Sequence, residues 1–344
     1  MKNIVIDSSC AFLITDRLTR KYLCGVDIAE GFLILSKTPV VFTDARYFYQ
    51  AKQKLAKAGV DSKLYKSEAD LKVYLDGLNV QNLLVDYRVT TLKEYGVYKT
   101  FGLEIKDGAS LLENARCVKD KQEFSYIKKA CEIAERAYHV AIRTVKKGIT
   151  EIQLKEKIEN LMIEYGAQEI AFDTIVAFGA NSAVPHHETG NTVLQDNQVI
   201  LVDMGCKIEG YCSDLTRTAF FGQPSIRFLS AYTAVLNANE LAEEQITSGM
   251  SMKRADAIAR DFLSENGYGE HFTHSLGHGV GLEIHEYPTV SPKSDATLTE
   301  NMVFTIEPGV YYDGEFGIRI EDTVVIENGK VKRLFNDDKQ LLIL

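Results

Sequence analysis

The sequence contains no tryptophan, only 6 prolines among its 344 residues, and no uninterrupted apolar run of the length that a membrane span needs. The apolar stretches at the N-terminus are interrupted by Asp7 and Asp16, which argues against a secretory signal. Low-complexity tracts are also missing, and 45% hydrophobic with 25% charged residues excludes a disordered or fibrous protein. We therefore predict a soluble, cytoplasmic, globular protein with no membrane partner.

The chain also lacks paired cysteines and an excess of positive charge. Its six cysteines form no C-x-x-C pair, so neither a thiolate zinc cage nor a redox motif is supported. We interpret them as reduced, mostly buried thiols, including Cys206 and Cys212, for which core packing is favoured over metal binding. With 39 Lys+Arg against 48 Asp+Glu the net charge is −9, and no basic run offsets it, so a nucleic-acid partner is not expected.

A length of 344 residues predicts two domains, since a typical domain has about 150 residues. Up to residue 112, short apolar runs alternate with polar helical stretches, which is typical of a small α/β domain. Residues 113–121 are charged and show no hydrophobic periodicity. We therefore predict an N-terminal domain of residues 1–117 and a C-terminal domain of residues 118–344.

The C-terminal domain shows signs of an internal duplication. Asp120 and Glu123 form a capping box before a helix predicted over 121–147. Residues 148–166 resemble residues 249–267 in start, cap, length and terminal glycine, at a constant offset of 101. Each copy follows a long helix and precedes strand-like segments with a pair of acidic residues. A duplication of this kind predicts two similar halves with a cleft between them.

Histidines and embedded acids are the residues that point to chemistry. Six of the seven histidines fall within residues 186–285, namely His186, His187, His271, His274, His278 and His285. Four acids stand in apolar, strand-like contexts, namely Asp203, Asp214, Glu307 and Glu321. Burying a lone carboxylate costs several kcal/mol, so four of them in one domain call for a shared cation. Four carboxylates with a histidine suit two hard or borderline divalent ions better than a structural zinc cage.

Each of these features also has a simpler interpretation. A strand aspartate beside glycine is usually a turn or cap residue, so any one acid alone is weak support for a metal. The glycine-rich segment 274–288 could cradle phosphate, but no Lys-Ser/Thr follows, so a P-loop is rejected. His187 and His271 are interpreted as ordinary histidines at the surface or behind the site, and His139 as a residue of the first helix.

Five motifs occur in the order of one known family. They read TIVAFGANSAVPH (174–186), VDMGCKIEGYCSDLTRT (202–218), HSLGHGVGLEIHEYP (274–288), TIEPGVY (305–311) and GIRIED (317–322). In these motifs the chain resembles the pita-bread metallopeptidases, in particular the aminopeptidase P and prolidase branch. The strings YLCGV (22–26) and FTDARYF (42–48) resemble that family's creatinase-type N-terminal domain. The resemblance implies an α/β fold with a small creatinase-like domain, then a pita-bread α+β domain with an internal pseudo-twofold duplication.

The resemblance also assigns roles to the matching residues. It implies two divalent metal ions, Mn²⁺ in the first place with Co²⁺ or Zn²⁺ as alternatives, and five ligands, with Asp214 and Glu321 bridging: Asp203, Asp214, His278, Glu307 and Glu321. Glu307 is the expected general base and acid. The implied cleft residues that contact substrate or stand behind the ligands are His186, His274, His285, Tyr311 and Arg319.

The implied activity is hydrolysis of Xaa-Pro bonds in dipeptides or short peptides. Arg319 is the one basic side chain expected to bind the carboxylate that follows proline in a dipeptide. Phe178 and Ala171 depart from the family pattern and are expected to reshape the pocket rim. A homodimer is implied, because the family closes each cleft with the partner's N-terminal domain.

Four other functions are alternatives to the dipeptidase. Aminopeptidase P activity on longer peptides stays open, since the same arginine occurs in relatives that trim them. A metal-free hydrolase of the creatinase type would lack the five ligands, and a non-catalytic pita-bread binding module would have lost ligands and gained acidic tails. Methionine aminopeptidase shares the ligand pattern but has no creatinase-like N-terminal domain.

Overall fold

The computed structural model describes Lys2 and residues 4–344, and the chain divides into two compact units, Met1–Ala115 and Arg116–Leu344. The domain boundary that we expect between residues 117 and 118 stays a prediction. Among the described residues, no helix is both long and apolar enough to cross a lipid bilayer.

The first unit is built on one mixed sheet. Its strands are β1 (Cys10–Ile14), β2 (Phe32–Leu35), β3 (Val40–Thr43), β4 (Asp61–Leu64), β5 (Asn82–Val85) and β6 (Glu104–Asp107). Its helices are α1 (Arg17–Cys24), α2 (Phe48–Lys57), α3 (Glu68–Leu78), α4 (Leu92–Lys99) and α5 (Ala109–Cys117). The strand order is β4-β3-β2-β1-β5-β6, and the apolar strand residues pack into a core with Leu71 and Leu75 of α3.

The second unit combines four α-helices with several sheets that are antiparallel except for the parallel pair of β12 and β20. The helices are α6 (Lys121–Ile142), α7 (Glu151–Glu164), α8 (Ile226–Gln245) and α9 (Met252–Glu265). The strands are β7 (Glu169–Ile170), β8 (Ile175–Phe178), β9 (Gln198–Met204), β10 (Cys206–Ile208), β11 (Tyr211–Cys212), β12 (Leu215–Phe221), β13 (Gly277–Gly279), β14 (Glu286–Val290), β15 (Val303–Ile306), β16 (Gly309–Tyr312), β17 (Phe316–Arg319), β18 (Asp322–Glu327), β19 (Lys330–Arg333) and β20 (Leu342–Ile343). The sheet orders are β20-β12-β9-β8, β14-β13-β15-β18-β19, β11-β10-β7 and β16-β17.

The two halves of this unit repeat one arrangement. In each, a long helix (α6 or α8) and a capped helix of 14 residues (α7 or α9) precede antiparallel strands. In the first half β9 pairs with β12, which sets Asp203 opposite Thr216. In the second half β15 pairs with β18, which sets Thr305 opposite Thr323. The repeat therefore delivers an acidic pair from each half at equivalent strand ends.

Local sequence signals located the helix starts better than the helix ends. The capping box of Asp120 and Glu123 is confirmed at the start of α6. The predicted end at residue 147 is wrong, because α6 ends at Ile142. There the Thr144 amide and hydroxyl both donate to the Ala141 carbonyl, which replaces the helical bond pattern with a tighter turn.

Gly205 provides a test of the packing between β9 and β12. A Cβ added at Gly205 would lie 2.0 Å from the Ser213 carbonyl oxygen, a backbone atom with little freedom to move. We expect Gly205→Ala to lower the free energy of unfolding by about 2 kcal/mol or more. Gly190→Ala is the matched control, since its Cβ would meet nothing closer than 3.9 Å. Urea unfolding followed by circular dichroism measures both; equal midpoints would contradict the close approach.

Candidate metal centre

A cavity of about 570 Å³ lies in the second unit, and every site residue expected from the sequence lines it. These residues are Asp203, Asp214, His278, Glu307, Glu321, His186, His274, His285, Arg319 and Tyr311. The rest of the lining is largely apolar and includes Phe172, Ile175 and Ile284. Residues from both halves thus meet at one cavity, as the duplication predicts.

Strand pairing explains how acids so distant in sequence converge. Asp203 lies near the end of β9, and Asp214 lies just before β12, in the short break between β11 and β12. Glu307 directly follows β15, and Glu321 lies between β17 and β18. His278 is the middle residue of β13, which pairs with β15. Each side chain therefore projects from the end or edge of a paired strand.

The buried carboxylates repel one another. Burial raises the pKa of Asp214 well above its ordinary value, and the charges of Glu321 and Asp203 raise it further. Burial likewise raises the pKa of Glu321, with Glu307 and Asp203 as the next causes. Arg319 is the one Lys or Arg side chain among the described residues that line the cavity. One guanidinium leaves three of the four negative charges unbalanced, which favours bound cations.

The orientation of His278 fits a cation in the same place. Its Nδ1 faces the Gly279 carbonyl oxygen at 3.2 Å, which assigns the proton to Nδ1 and leaves a lone pair on Nε2. Burial lowers the pKa of this imidazole, which favours the neutral form. Nε2 lies 3.5 Å from Asp214 Oδ2 and 3.4 Å from Glu307 Oε1. A lone pair between two carboxylate oxygens is repulsive unless a metal ion lies among them.

The oxygen donors support the same conclusion. Within the described residues, one atom each of Asp214, His278 and Glu321 lie within 4.8 Å of one another. Asp203 Oδ2 accepts a hydrogen bond from Arg319, but the buried Oδ1 of Asp203 has no hydrogen-bond partner among the described residues. A buried carboxylate oxygen without a partner is costly. The donor set of four carboxylates and one imidazole therefore fits hard or borderline divalent ions.

Two threonines that the sequence analysis did not single out orient the glutamates. Thr216 donates to Glu321 Oε2 at 2.6 Å, and Thr305 donates to Glu307 Oε1 at 3.0 Å. Thr216 also accepts from Arg319 Nε at 3.0 Å, so its hydroxyl proton is directed at Glu321. The Thr-x-Glu spacing at 305–307 indicates the contact between Thr305 and Glu307. The contact between Thr216 and Glu321 spans 105 residues, so no local pattern indicates it.

Arg319 lies directly behind Asp203. Its side chain is 4% exposed, and Nη2 donates to Asp203 Oδ2 at 2.6 Å. Nε donates to Thr216, and Nη1 donates to Tyr311 Oη at 2.9 Å. Nη1 also donates to the Pro185 carbonyl oxygen at 3.4 Å, so four of the five N–H groups donate inside the protein and Arg319 orients Asp203. That Arg319 also binds a substrate carboxylate stays a prediction.

His274 belongs to the same hydrogen-bond chain. Its Nδ1 faces the Ser275 carbonyl oxygen at 2.8 Å, so Nε2 is the acceptor for the Tyr311 hydroxyl at 3.0 Å. Burial lowers the pKa of His274, consistent with the neutral ring that this pattern requires. Donation therefore runs outward from Arg319, to Asp203 on one side and through the Tyr311 hydroxyl to His274 on the other.

His186 and His285 lie at the open side of the cavity. Both side chains are exposed, and the His285 ring packs edge-on against the His278 ring with centroids 4.3 Å apart. Burial lowers the pKa of His285, and His278 and His186 lower it further. These rings are the histidines that an incoming substrate meets first.

Other sequence expectations have mixed outcomes. Phe178 is 1% exposed within β8, and neither Phe178 nor Ala171 is among the described residues that line the cavity, so an effect of these two residues on the pocket rim would be indirect and stays a prediction. His187 does lie behind the site, where Nε2 is 3.1 Å from the buried carboxylate of Glu151. Cys206 and Cys212 are buried, and burial raises the pKa of each thiol to about 12, so the core-packing interpretation is confirmed.

A second buried carboxylate organises the loop that bears His285. Glu286 accepts from Arg116 Nη2 at 2.6 Å and from Lys119 Nζ at 2.7 Å, and its side chain is 5% exposed. A Cβ on Gly281 would lie 2.3 Å from Glu286 Oε1, so the loop closes directly over this carboxylate. The charged segment 113–121, which the sequence analysis treated as a boundary, therefore supplies two cations that hold the loop.

These features define a metallopeptidase of two similar halves, and the comparisons identify its family. The model of Metallopeptidase family M24 matches residues 125–328, and that of the Creatinase/Prolidase N-terminal domain matches residues 7–118. The chain belongs to metallopeptidase family M24 and carries a creatinase/prolidase N-terminal domain. The resemblance inferred from the motifs, the fold class and the enzyme class are thereby confirmed.

Relatives with named activities cover almost the whole chain. An Xaa-Pro dipeptidase of Pyrococcus horikoshii is 34% identical over 337 residues, which cover 96% of this chain and 94% of the relative. The solved Xaa-Pro dipeptidase from Bacillus anthracis superposes with a TM-score of 0.91 at 32% identity, covering 97% of this chain and 95% of that one. The solved X-Pro aminopeptidase from Thermotoga maritima superposes with a TM-score of 0.87 at 34% identity, covering 97% of this chain and 95% of that one.

Glu286 provides a test of the loop anchor. Burial raises the pKa of Glu286, but Lys119 and Arg116 outweigh burial and hold the pKa below its ordinary value. The carboxylate therefore stabilises the fold above its unfolded-state pKa, and this contribution is lost as the pH falls through the lower folded-state pKa. We expect Glu286→Gln to lower the free energy of unfolding by about 3 kcal/mol at neutral pH.

The difference between Glu286→Gln and wild type should shrink in acid, as urea unfolding at neutral and acidic pH can measure. Glu283→Gln is the matched control, because Glu283 also contacts Arg116 but its side chain is 54% exposed. We expect that control to lose less than about 1 kcal/mol. Equal losses in the two variants would contradict a buried anchor.

Proposed function

We propose that this chain is an Xaa-Pro dipeptidase that works with two divalent metal ions. The observation that carries the proposal is the buried cluster of four carboxylates around the lone pair of His278, balanced by a single guanidinium. The named activities of the relatives supply the substrate class. A homodimer and a cytoplasmic location stay predictions from the sequence.

The residues that would hold the ions are Asp203, Asp214, His278, Glu307 and Glu321. Asp214 and Glu321, at 4% and 2% exposed, are the most deeply buried of the four acids and would hold the ions at the closed end of the cavity. Mn²⁺ is favoured, with Co²⁺ or Zn²⁺ as alternatives, because carboxylate-rich sites suit harder ions. When bound, such ions polarise a carbonyl oxygen and lower the pKa of water toward neutrality.

The protein's own groups then have distinct tasks. Burial raises the pKa of the Glu307 carboxyl, so it can take a proton from the attacking water and pass it to the leaving nitrogen. Thr305 holds one oxygen of that carboxylate by donating to Oε1. His186 and His285, at the open side, can donate hydrogen bonds to the substrate carbonyl. His274 keeps Tyr311 and Arg319 in place behind Asp203.

The apolar part of the cavity suits an imino acid. Phe172, Ile175 and Ile284 line it and offer a surface for the proline ring without hydrogen-bond demands. The amide before proline carries no N–H, so a site that relies on that donor would reject it. An apolar wall has no such requirement.

Aminopeptidase activity on longer Xaa-Pro peptides is the second candidate. The internal hydrogen bonds of Arg319 favour it, because a dipeptidase needs a cation for the carboxylate that follows proline and four of the five N–H groups of Arg319 already donate inside the protein. In the dipeptidase, that carboxylate would bind the remaining N–H group of Arg319 or the rings of His186 and His285. The two candidates differ only in the group that follows proline.

The metal requirement can be tested by removing and restoring the ions. Dialysis against a chelator should abolish hydrolysis, and Mn²⁺ or Co²⁺ should restore it, while elemental analysis reports the ions bound. Asp203→Asn and Glu321→Gln should each lower kcat/KM by more than about 100-fold, because even partners of metal ligands typically contribute 10- to 100-fold. Asp173→Asn is the control, since Asp173 lines the same cavity but its side chain is 92% exposed. Full activity in either ligand variant would contradict the assignment.

The preferred substrate length distinguishes the two candidate activities. Three substrates with the same first two residues separate the contributions: Xaa-Pro, its C-terminal amide, and the dipeptide extended by two glycines. A dipeptidase should prefer the free dipeptide by tenfold or more in kcat/KM, about 1.4 kcal/mol of transition-state stabilisation. The amide, which removes only the charge, should lose most of that preference. A tenfold preference for the longer peptide would establish the aminopeptidase instead.

A further inference from the structure

Asn239 contacts both strands that lead to the glutamates of the cavity. It lies in the middle of α8 with no exposed surface. Its Nδ2 donates to the Ile306 carbonyl oxygen at 2.9 Å and to the Ile320 carbonyl oxygen at 3.1 Å. These carbonyls belong to the peptide groups that immediately precede Glu307 and Glu321.

Each of those two peptide groups is held from both sides. The Glu307 amide donates to the Leu276 carbonyl oxygen at 2.9 Å, and the Glu321 amide donates to the Thr216 carbonyl oxygen at 3.1 Å. A peptide group is planar, so fixing its N–H and its C=O fixes the direction in which the following side chain leaves the backbone. One amide nitrogen of Asn239 supplies the second bond in both cases, which also sets the spacing between the two strands.

The side-chain amide of Asn239 has its own orienting partner. Lys339 Nζ donates to Asn239 Oδ1 at 2.5 Å, which assigns oxygen and nitrogen of the amide without ambiguity. Lys339 is 3% exposed and also contacts Glu243 at 2.8 Å and Asp322 at 3.2 Å. Its backbone carbonyl accepts from the Tyr232 hydroxyl at 2.9 Å. The segment before β20 thus contacts α8 through Lys339, whose side chain donates the hydrogen bond that orients the Asn239 amide.

We propose that Asn239 is a positioning residue for the metal centre and that Lys339 fixes its amide. Asn239 holds the peptide groups before Glu307 and Glu321 at one separation and orientation, and the two glutamates reach the ions only from that arrangement. The inference rests on the proposed function, in which both glutamates are metal ligands. It adds two residues that touch neither metal nor substrate, and Asn239 lies 67 and 81 residues from the two carbonyls that it holds.

Asn239→Leu is the principal test, because leucine has a similar size and shape but cannot donate to either carbonyl. Asn237→Leu is the matched control, since Asn237 lies on the same helix and is exposed. The protein is stripped with a chelator, and Mn²⁺ binding is measured by titration calorimetry, together with the melting temperature with and without Mn²⁺. We expect Asn239→Leu to weaken Mn²⁺ binding by about tenfold or more and to reduce the Mn²⁺-induced rise in melting temperature.

Two further variants complete the test. Asn239→Ala adds no atoms to the buried site, so it carries the same expectation should Asn239→Leu not fold. Lys339→Met should also weaken Mn²⁺ binding, but less than the Asn239 variants, because Nδ2 of Asn239 still faces both carbonyls. Lys330→Met, at an exposed lysine, is its control.

The readouts separate positioning from packing. A packing role lowers the melting temperature equally with and without Mn²⁺ and leaves the affinity of the folded protein unchanged, which would overturn the inference. If the wild-type protein itself binds neither Mn²⁺ nor Co²⁺ nor Zn²⁺, the proposed function fails, and the inference fails with it. Wild-type binding together with weakened binding in both Asn239 variants supports the proposal.

Discussion

The convergence of four carboxylates in one buried cavity is the constraint on which the rest of the second unit depends. Burial raises the pKa of Asp214 and Glu321, and each acid makes ionisation of the others harder. Such a cluster persists only where its negative charge is balanced and its oxygens have partners. The lone pair of His278 and the unpartnered oxygen of Asp203 both point to cations as that balance.

The side chains behind the cavity make this arrangement rigid. Arg319 donates to Asp203 and to Thr216, and Thr216 donates to Glu321, so acids from both halves are joined by one hydrogen-bond chain. Asn239 adds the backbone counterpart by holding the peptide groups ahead of Glu307 and Glu321. Groups of this kind need no contact with substrate, since they act by fixing where the carboxylates point.

The buried side and the open side of the cavity differ in the residues that they offer to a substrate. Arg319 is buried in internal hydrogen bonds, whereas His186 and His285 are exposed at the cavity mouth. In the proposed function, the group that follows proline would therefore meet the rings of His186 and His285 first. The loop of His285 is in turn held by Glu286 with Arg116 and Lys119, so the outer side is also anchored.

The sequence by itself determined the features that depend on neighbouring residues or on spacing. The capping box of α6, the alternation of strands and helices, the duplicated halves and the embedded acids could all be read from short patterns. The tertiary structure decided which partners those residues meet. Hydrogen bonds between residues that are 81 to 167 positions apart decide which acceptors Arg319 donates to. They also decide that Asn239 and Lys119 are buried and hold other groups in place, and do not lie at the surface. No local pattern encodes such pairings, because burial and hydrogen-bond partners arise only when the strands and helices pack.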